Sequence, residues 1–206
     1  MNRLKAADTP LPWMGAAFAA AATLATIVLA KYGAGKVGTV AALQLTARFS
    51  FLLFWLAYAG GGLVVLFGAA LQPLERRGRD FGLAFAAAHL VHVGLVVWLC
   101  WIGATPGLDV FVFFVPPLVV LYILALFSIP ALQKALGRTP WRILRTVGMT
   151  YIAYAFAHDF VTAPFGGNAT HIAMYVPFAI LNVAAPVLHA ISLVPWFRRR
   201  RQPQPR

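Results

Sequence analysis

Residues 110–129 read VFVFFVPPLVVLYILALFSI and contain no charged side chain. An α-helix rises 1.5 Å per residue, so a helix of this length crosses a hydrocarbon core of about 30 Å. The run does not alternate between polar and apolar residues, as a strand of a membrane barrel would. The stretch therefore predicts a transmembrane α-helix.

The same pattern recurs on both sides of this segment. Apolar runs predict six transmembrane helices near residues 13–30, 40–68, 81–103, 110–129, 146–164 and 171–197, followed by a basic tail over 198–206. Of all residues 61% are hydrophobic and 11% are charged, whereas soluble chains carry roughly a quarter charged residues. We expect an all-α integral membrane protein, a six-helix bundle forming a single membrane domain over residues 1–206.

The distribution of Lys and Arg predicts the orientation of the bundle. Of the 17 basic residues, 14 fall in the first residues, in the connections after the second and fourth predicted helices, and in the tail. Only Lys31, Lys36 and Arg48 belong to the opposite side. Since short positive loops stay in the cytoplasm, both termini are predicted to be cytoplasmic. The net charge of +12 is then explained by orientation and by contact with anionic membrane lipid, without a nucleic-acid partner.

The first predicted helix also allows a second interpretation. Arg3 and Lys5 precede an Ala-rich run, as in a secretory signal peptide. The apolar stretch is longer than the usual core of such a signal, and no small-residue cleavage motif follows it. If the segment were cleaved, five spans would remain with the same orientation.

Histidines at membrane depth are the residues most able to carry chemistry. Ionisable groups there are costly and usually face the interior of a bundle. The chain has five histidines, His89, His92, His158, His171 and His189. The lone Cys100 excludes an internal disulfide and a cysteine-ligated iron–sulfur cluster.

His92 and His158 are predicted to lie at the same depth. Each is 12 residues beyond the inner start of its helix, counted from Asp80 and Thr146, which corresponds to about 18 Å. Two neutral imidazoles at one level on different helices suit the axial positions of a b-type haem. His89, one turn below His92, is the alternative ligand or a hydrogen-bond donor to a haem propionate.

Two simpler interpretations remain open at this stage. The histidines would also fit ordinary hydrogen bonds between transmembrane helices. The small residues around His89 and His92 make room either for a porphyrin or for close helix contact; they are Gly82, Ala84, Ala86, Ala87, Ala88 and Gly94.

Two groups of short motifs resemble a known family. The run 76–85, RRGRDFGLAF, leads to His92, and the segments ALFS at 125–128 and LGR at 136–138 precede Trp141 and His158. This order is similar to the ferric reductase-like transmembrane domain, and the resemblance covers predicted helices 2 to 5. That family includes ferric reductases, NADPH oxidases and the haem-binding membrane subunit of the periplasmic methionine sulfoxide reductase system.

The resemblance implies a protein that passes electrons across a membrane through b-type haem. It implies one haem held by His92 and His158. A second, inner haem is not implied, because Arg145 stands where the family carries another histidine, and arginine stays protonated. Arg145 is then left to bind a haem propionate or a lipid phosphate, or to anchor the inner face. Arg48, on one helix face with Gln44, is predicted to meet a haem propionate, with Asp159 as a competing partner.

The histidines, the arginines and the resemblance together lead to an expectation about function. We expect a multi-pass protein of the bacterial inner membrane that takes electrons from a cytoplasmic flavoprotein or a quinol. It would deliver them to an acceptor at the outer face, for example a periplasmic protein, and substrate reduction is expected on a partner. The alternative is a haemless protein of the same architecture that acts as a transporter or as an assembly partner for membrane proteins.

Overall fold

The computed structural model describes residues 10–162 and 169–193, with side chains over 10–160 and 172–191. Within these residues the secondary structure is helical and includes no strand. The helices are α1 (Leu11–Tyr32), α2 (Lys36–Phe67), α3 (Gln72–Arg76), α4 (Gly78–Trp101), α5 (Leu108–Phe127), α6 (Pro130–Leu136), α7 (Arg138–Thr162) and α8 (Ala169–Leu193), with a short 3₁₀ turn at Ala69–Leu71. The all-α prediction is confirmed for this part of the chain.

Five helices are long and apolar enough to cross a membrane, as judged by length and composition. They are Leu11–Tyr32, Lys36–Phe67, Gly78–Trp101, Leu108–Phe127 and Ile172–Ile191. These correspond to five of the six predicted spans, and they describe a multi-pass membrane protein. Helix α7 has 25 residues but is not among the five. The sixth crossing and the orientation of the termini stay predictions.

The connection between α5 and α7 differs from the sequence prediction. The basic segment near 129–145, which the sequence predicts only as a connection between two spans, contains α6 and the first two turns of α7. Proline explains both helices: Pro130 begins α6, and Pro140 lies in the first turn of α7, where a missing N–H costs no hydrogen bond. Gly137 separates them with a φ of 88°, a backbone conformation that glycine adopts without strain.

The described residues fall into two compact units. Unit 1 takes those within Met1–Leu53 and Arg79–Gly107, which include α1, the first half of α2 and nearly all of α4. Unit 2 takes those within Phe54–Gly78 and Leu108–Arg206, which include the second half of α2 and α3, α5, α6, α7 and α8.

Unit 1 is held together by small side chains. Ala17 and Ala21, one turn apart on α1, form a buried cluster with Ala84 and Ala88 of α4. One turn further along α1, a second buried cluster joins Ala25, Ala42 and Leu95. Since lipid tails are as apolar as these side chains, close backbone approach and dispersion contacts stabilise such an interface. The alternative that these alanines leave room for a porphyrin does not hold for Ala84 and Ala88.

Unit 2 combines close glycine contacts with aromatic packing. A Cβ added to Gly62 of α2 would overlap the backbone carbonyl of Leu188 on α8. A Cβ on Gly148 of α7 would lie 2.9 Å from side-chain carbons of Val120 and Leu124 on α5. Phe156 and Phe160 of α7 stack on each other with ring centroids 5.8 Å apart. The small residues set the distance between helices, and the rings fill the space that remains.

Candidate functional site

The His92 ring is oriented by a buried threonine in unit 1. Its Nδ1 atom lies 3.2 Å from Oγ1 of Thr46 on α2. The Thr46 hydroxyl is fully buried and lies 2.8 Å from the Ala42 carbonyl and 3.1 Å from the Leu43 carbonyl. A carbonyl only accepts, and a hydroxyl has one hydrogen to donate. The shortest of these contacts is to the Ala42 carbonyl, so we assign the hydroxyl hydrogen to it, and the Thr46 oxygen then accepts from the Nδ1–H of His92.

This arrangement sets the tautomer of the neutral His92 ring. With the proton on Nδ1, the lone pair is on Nε2, which is the atom that can bind a metal. A histidine that donates its other N–H to a fixed oxygen is the usual arrangement around metal-bound imidazole. With this assignment, Nε2 is the nitrogen of His92 that carries the lone pair.

His89 has a different environment on the same helix face. Its ring stacks on His92 with centroids 4.9 Å apart and planes inclined by 16°, and it lies 5.5 Å from the Phe85 ring. Its Nδ1 is buried and has no hydrogen-bond partner among the described residues. No side chain or carbonyl therefore selects the tautomer of His89 through this atom. The comparison favours His92 over His89 as a metal ligand.

His158 lies on α7 in unit 2. Its side chain is exposed and packs beside Phe113 of α5, with ring centroids 4.2 Å apart and planes inclined by 36°. Phe114 is further away, at 6.3 Å between centroids. Phe113 also contacts Tyr154, one turn before His158, at 5.9 Å. The imidazole is thus supported on one side by an aromatic ring of α5.

The two arginines predicted to bind propionates lie in different units. Arg48 is half-buried on α2 in unit 1, and Gln44, one turn earlier, is exposed. Arg145 is exposed in unit 2, where its Nη2 atom would lie 4.0 Å from a Cβ added to Gly78. The side chain of His171 and the basic tail over 198–206 lie outside the described residues.

His189 forms a second histidine contact, a hydrogen bond between helices of the kind that the sequence left open as an alternative. Its Nδ1 lies 3.2 Å from the Tyr58 carbonyl, and its ring stacks on the Tyr58 ring at 4.4 Å. The Tyr58 hydroxyl in turn lies 3.1 Å from Oγ1 of Thr150 on α7. Because a carbonyl only accepts, the Nδ1–H of His189 is the donor. These contacts connect α2, α7 and α8 within unit 2.

The contact of Thr46 with His92 was also missed. From Lys36 at the start of α2 and Trp101 at the end of α4, Thr46 and His92 lie about 15 Å and about 14 Å into their helices. The predicted spans, which begin at residue 40 and end at residue 103, give about 9 Å and about 17 Å instead, so the sequence did not pair them. Helix depth also does not show which faces of two helices meet, so the contact itself required the structure.

Among the described residues, the possible metal ligands would suit a haem, but they do not form a site with three or more protein ligands. Over the part of the chain that the structure describes, no group of three or more His, Cys, Asp or Glu side chains could hold a metal ion. A haem supplies four of its own nitrogen ligands and needs only axial imidazoles from the protein. The tautomer of His92 fits that demand.

Fold and site together describe a multi-pass membrane protein that is helical over the residues described, with a histidine in α4 whose Nδ1 lies 3.2 Å from the Thr46 hydroxyl. Searches against models of protein families, curated proteins and solved structures find no match to this chain. The resemblance to the ferric reductase-like domain therefore rests on the short motifs alone.

Proposed function

We propose that this chain is a haem b-binding electron-transfer protein of the bacterial inner membrane. The observation that carries the proposal is the hydrogen bond from His92 to Thr46, because it leaves the lone pair of His92 on Nε2.

Several residues of this chain have different roles in binding the haem. His92 and His158 are the axial ligands, a pairing that rests on their equal depth in the sequence. Arg48 binds a propionate, and Arg145 marks the inner face, where the absent histidine leaves no second haem. When bound, the haem supplies one-electron chemistry. Thr46 keeps the proton on Nδ1 of His92, and the surrounding apolar side chains exclude water.

The direction of transfer follows from the orientation that we propose. With six crossings and both termini inside, electrons enter from a cytoplasmic flavoprotein or from a quinol and leave at the outer face. The acceptor is then a separate protein or small molecule on that side, and substrate reduction takes place on the partner. The positive inner surface contacts anionic lipid.

Three histidine variants and a matched control test the ligand assignment. The purified protein should show a reduced-minus-oxidised spectrum of a low-spin b-type haem. His92→Ala and His158→Ala should each lose most of that haem, whereas His89→Ala should retain it. His189→Ala is the control, because it removes an intramembrane histidine that the sequence places only about 12 Å from the predicted inner end of its helix, below the level of His92 and His158, and it should leave the haem spectrum unchanged. Loss of haem in His89→Ala with full retention in His92→Ala would reverse the assignment.

A second candidate function is a haemless assembly partner for other membrane proteins. The observation that favours it is the exposure of hydroxyl groups and an imidazole on α7, which another transmembrane helix could bind through hydrogen bonds. Colourless wild-type protein that copurifies with one defined membrane partner would support this candidate over the haem protein.

A further inference from the structure

The outer half of α7 differs from its neighbours in what it exposes. Between residues 150 and 160 the exposed residues are Thr150, Tyr151, Tyr154 and His158, and each carries a polar atom. Helices α5 and α8 instead expose large aliphatic side chains, among them Val112, Val115, Val119 and Ile123 on α5, and Ile180, Val183 and Val187 on α8. The α5 and α8 surfaces suit lipid tails, whereas the α7 surface does not.

The depth predicted for these residues, with α7 as the sixth crossing, argues against a simple interfacial role for the two tyrosines. Tyrosine is enriched where membrane and water meet. Tyr151 and Tyr154, however, lie five and eight residues into the predicted span that begins at Thr146, about 8 and 12 Å above its start. At that depth a hydroxyl that faces lipid has no hydrogen-bond partner, which is unfavourable. If α7 crosses the membrane as predicted, this surface favours an occupant other than lipid.

The chemistry of this surface fits a flat macrocycle that contains a metal. Tyr154 and His158 are one turn apart on one face, and Phe113 of α5 contacts both rings. The imidazole offers a metal ligand, while the phenol rings of Tyr151 and Tyr154 offer broad aromatic contact beside it. Tyr154 is 58% exposed and Tyr151 is 36% exposed, so both rings are accessible for such contact.

We infer that the surface formed by Tyr151, Tyr154, His158 and Phe113 covers one face of the porphyrin. This inference rests on the proposed haem function and adds the residues of unit 2 that contact the macrocycle. Phe113 is a positioning residue, because it restrains the His158 ring without reaching the metal. Tyr154, one turn from the ligand, lies against the porphyrin itself.

Photo-crosslinking identifies the occupant directly. A diazirine-bearing phenylalanine replaces Tyr154 in the full chain, which is loaded with haem, reconstituted in phospholipid vesicles and irradiated. The same side chain at Val112 is the control, since Val112 is 67% exposed on α5. By helix length the two positions are comparable, about 24 Å from the start of α7 and about 23 Å from the end of α5.

The inference predicts a haem adduct at position 154 and a phospholipid adduct at position 112, both identified by mass. A phospholipid adduct at 154 in haem-loaded protein would overturn it. So would an adduct with another segment of the chain, a second copy or another protein. If the variant at 154 binds no haem, the crosslinker at Tyr151 gives the same test.

These outcomes distinguish a failure of the porphyrin-contact proposal from a failure of the proposed haem function. Wild-type protein that binds no haem contradicts the proposed function and the inference together. Wild-type protein that binds haem, with no haem adduct at 154 or 151, contradicts the inference alone.

Discussion

At the scale of single residues, the contact between Thr46 and His92 links the sequence to chemistry. The Thr46 hydroxyl donates to a carbonyl of its own helix, which turns its oxygen into an acceptor for the ring. One buried hydroxyl thereby decides which nitrogen of His92 carries the lone pair. A valine at this position would keep the shape of the side chain and remove the acceptor.

Thr46→Val tests this role. Residues that orient a metal-bound histidine typically contribute a factor of about 10–100 in metal affinity. We expect the variant to bind haem about 10-fold more weakly when haem is titrated into the apoprotein. Thr46→Ser keeps the hydroxyl and should restore affinity to nearly that of wild type. Equal haem affinity in Thr46→Val and wild type would show that this hydrogen bond does not prepare the ligand.

Part of the site could be predicted from residues alone. The sequence predicts that His92 and His158 lie in separate helices, and the structure places them in α4 and α7. Their equal depth stays a prediction, because α7 begins eight residues before the predicted span. The tautomer of His92 depends on which face of α2 meets α4, and helix rise carries no information about that. The stacking of His189 on Tyr58 escaped prediction for the same reason.

At the scale of helices, small residues set how closely backbones approach. Gly62 of α2 lies against the Leu188 carbonyl of α8, so even one methyl group there would collide with rigid backbone. Gly94 on α4 is exposed, and an added Cβ would meet nothing within 4 Å. The two glycines form a matched pair for substitution.

Gly62→Ala should destabilise the protein by about 1–3 kcal/mol, the usual cost of an overpacked contact. Gly94→Ala should be neutral or slightly stabilising, because alanine is the better helix former. Thermal unfolding of both variants in the same detergent measures the difference. Equal melting temperatures for the two variants would contradict the close contact between α2 and α8.

The positions of the helices were predictable where a helix consists of a long apolar run. Five predicted spans differ from the observed helices by only a few residues at each end described. The start of α7 was predicted too late because hydropathy marks where the membrane begins, whereas Arg138–Thr162 is one helix through its charged first turns. The short helices α3 and α6 contain no apolar run from which hydropathy could predict them. Each has a proline among its first two residues.

For the molecule as a whole, the membrane topology depends on whether α7 crosses the membrane. Five helices qualify as spans without it. If α7 also crosses, both termini lie on one side, whereas five crossings place them on opposite sides. The 14 basic residues on the predicted inner side favour six crossings.

Reporter fusions distinguish the two topologies. A fluorescent protein that matures only in the cytoplasm should fluoresce when fused after Arg206, and a phosphatase active only in the periplasm should be inactive there. Fusions after Leu136 and after Gly167 should report the inside and the outside respectively. An active phosphatase after Arg206 would mean that α7 does not cross the membrane.

The central claim is that this membrane protein binds a single b-type haem. The most direct measurement is a pyridine haemochrome assay on the purified, detergent-solubilised wild-type protein, expressed with ample iron and haem precursor. We expect one protohaem per chain. Folded, monodisperse protein that contains no haem would contradict it.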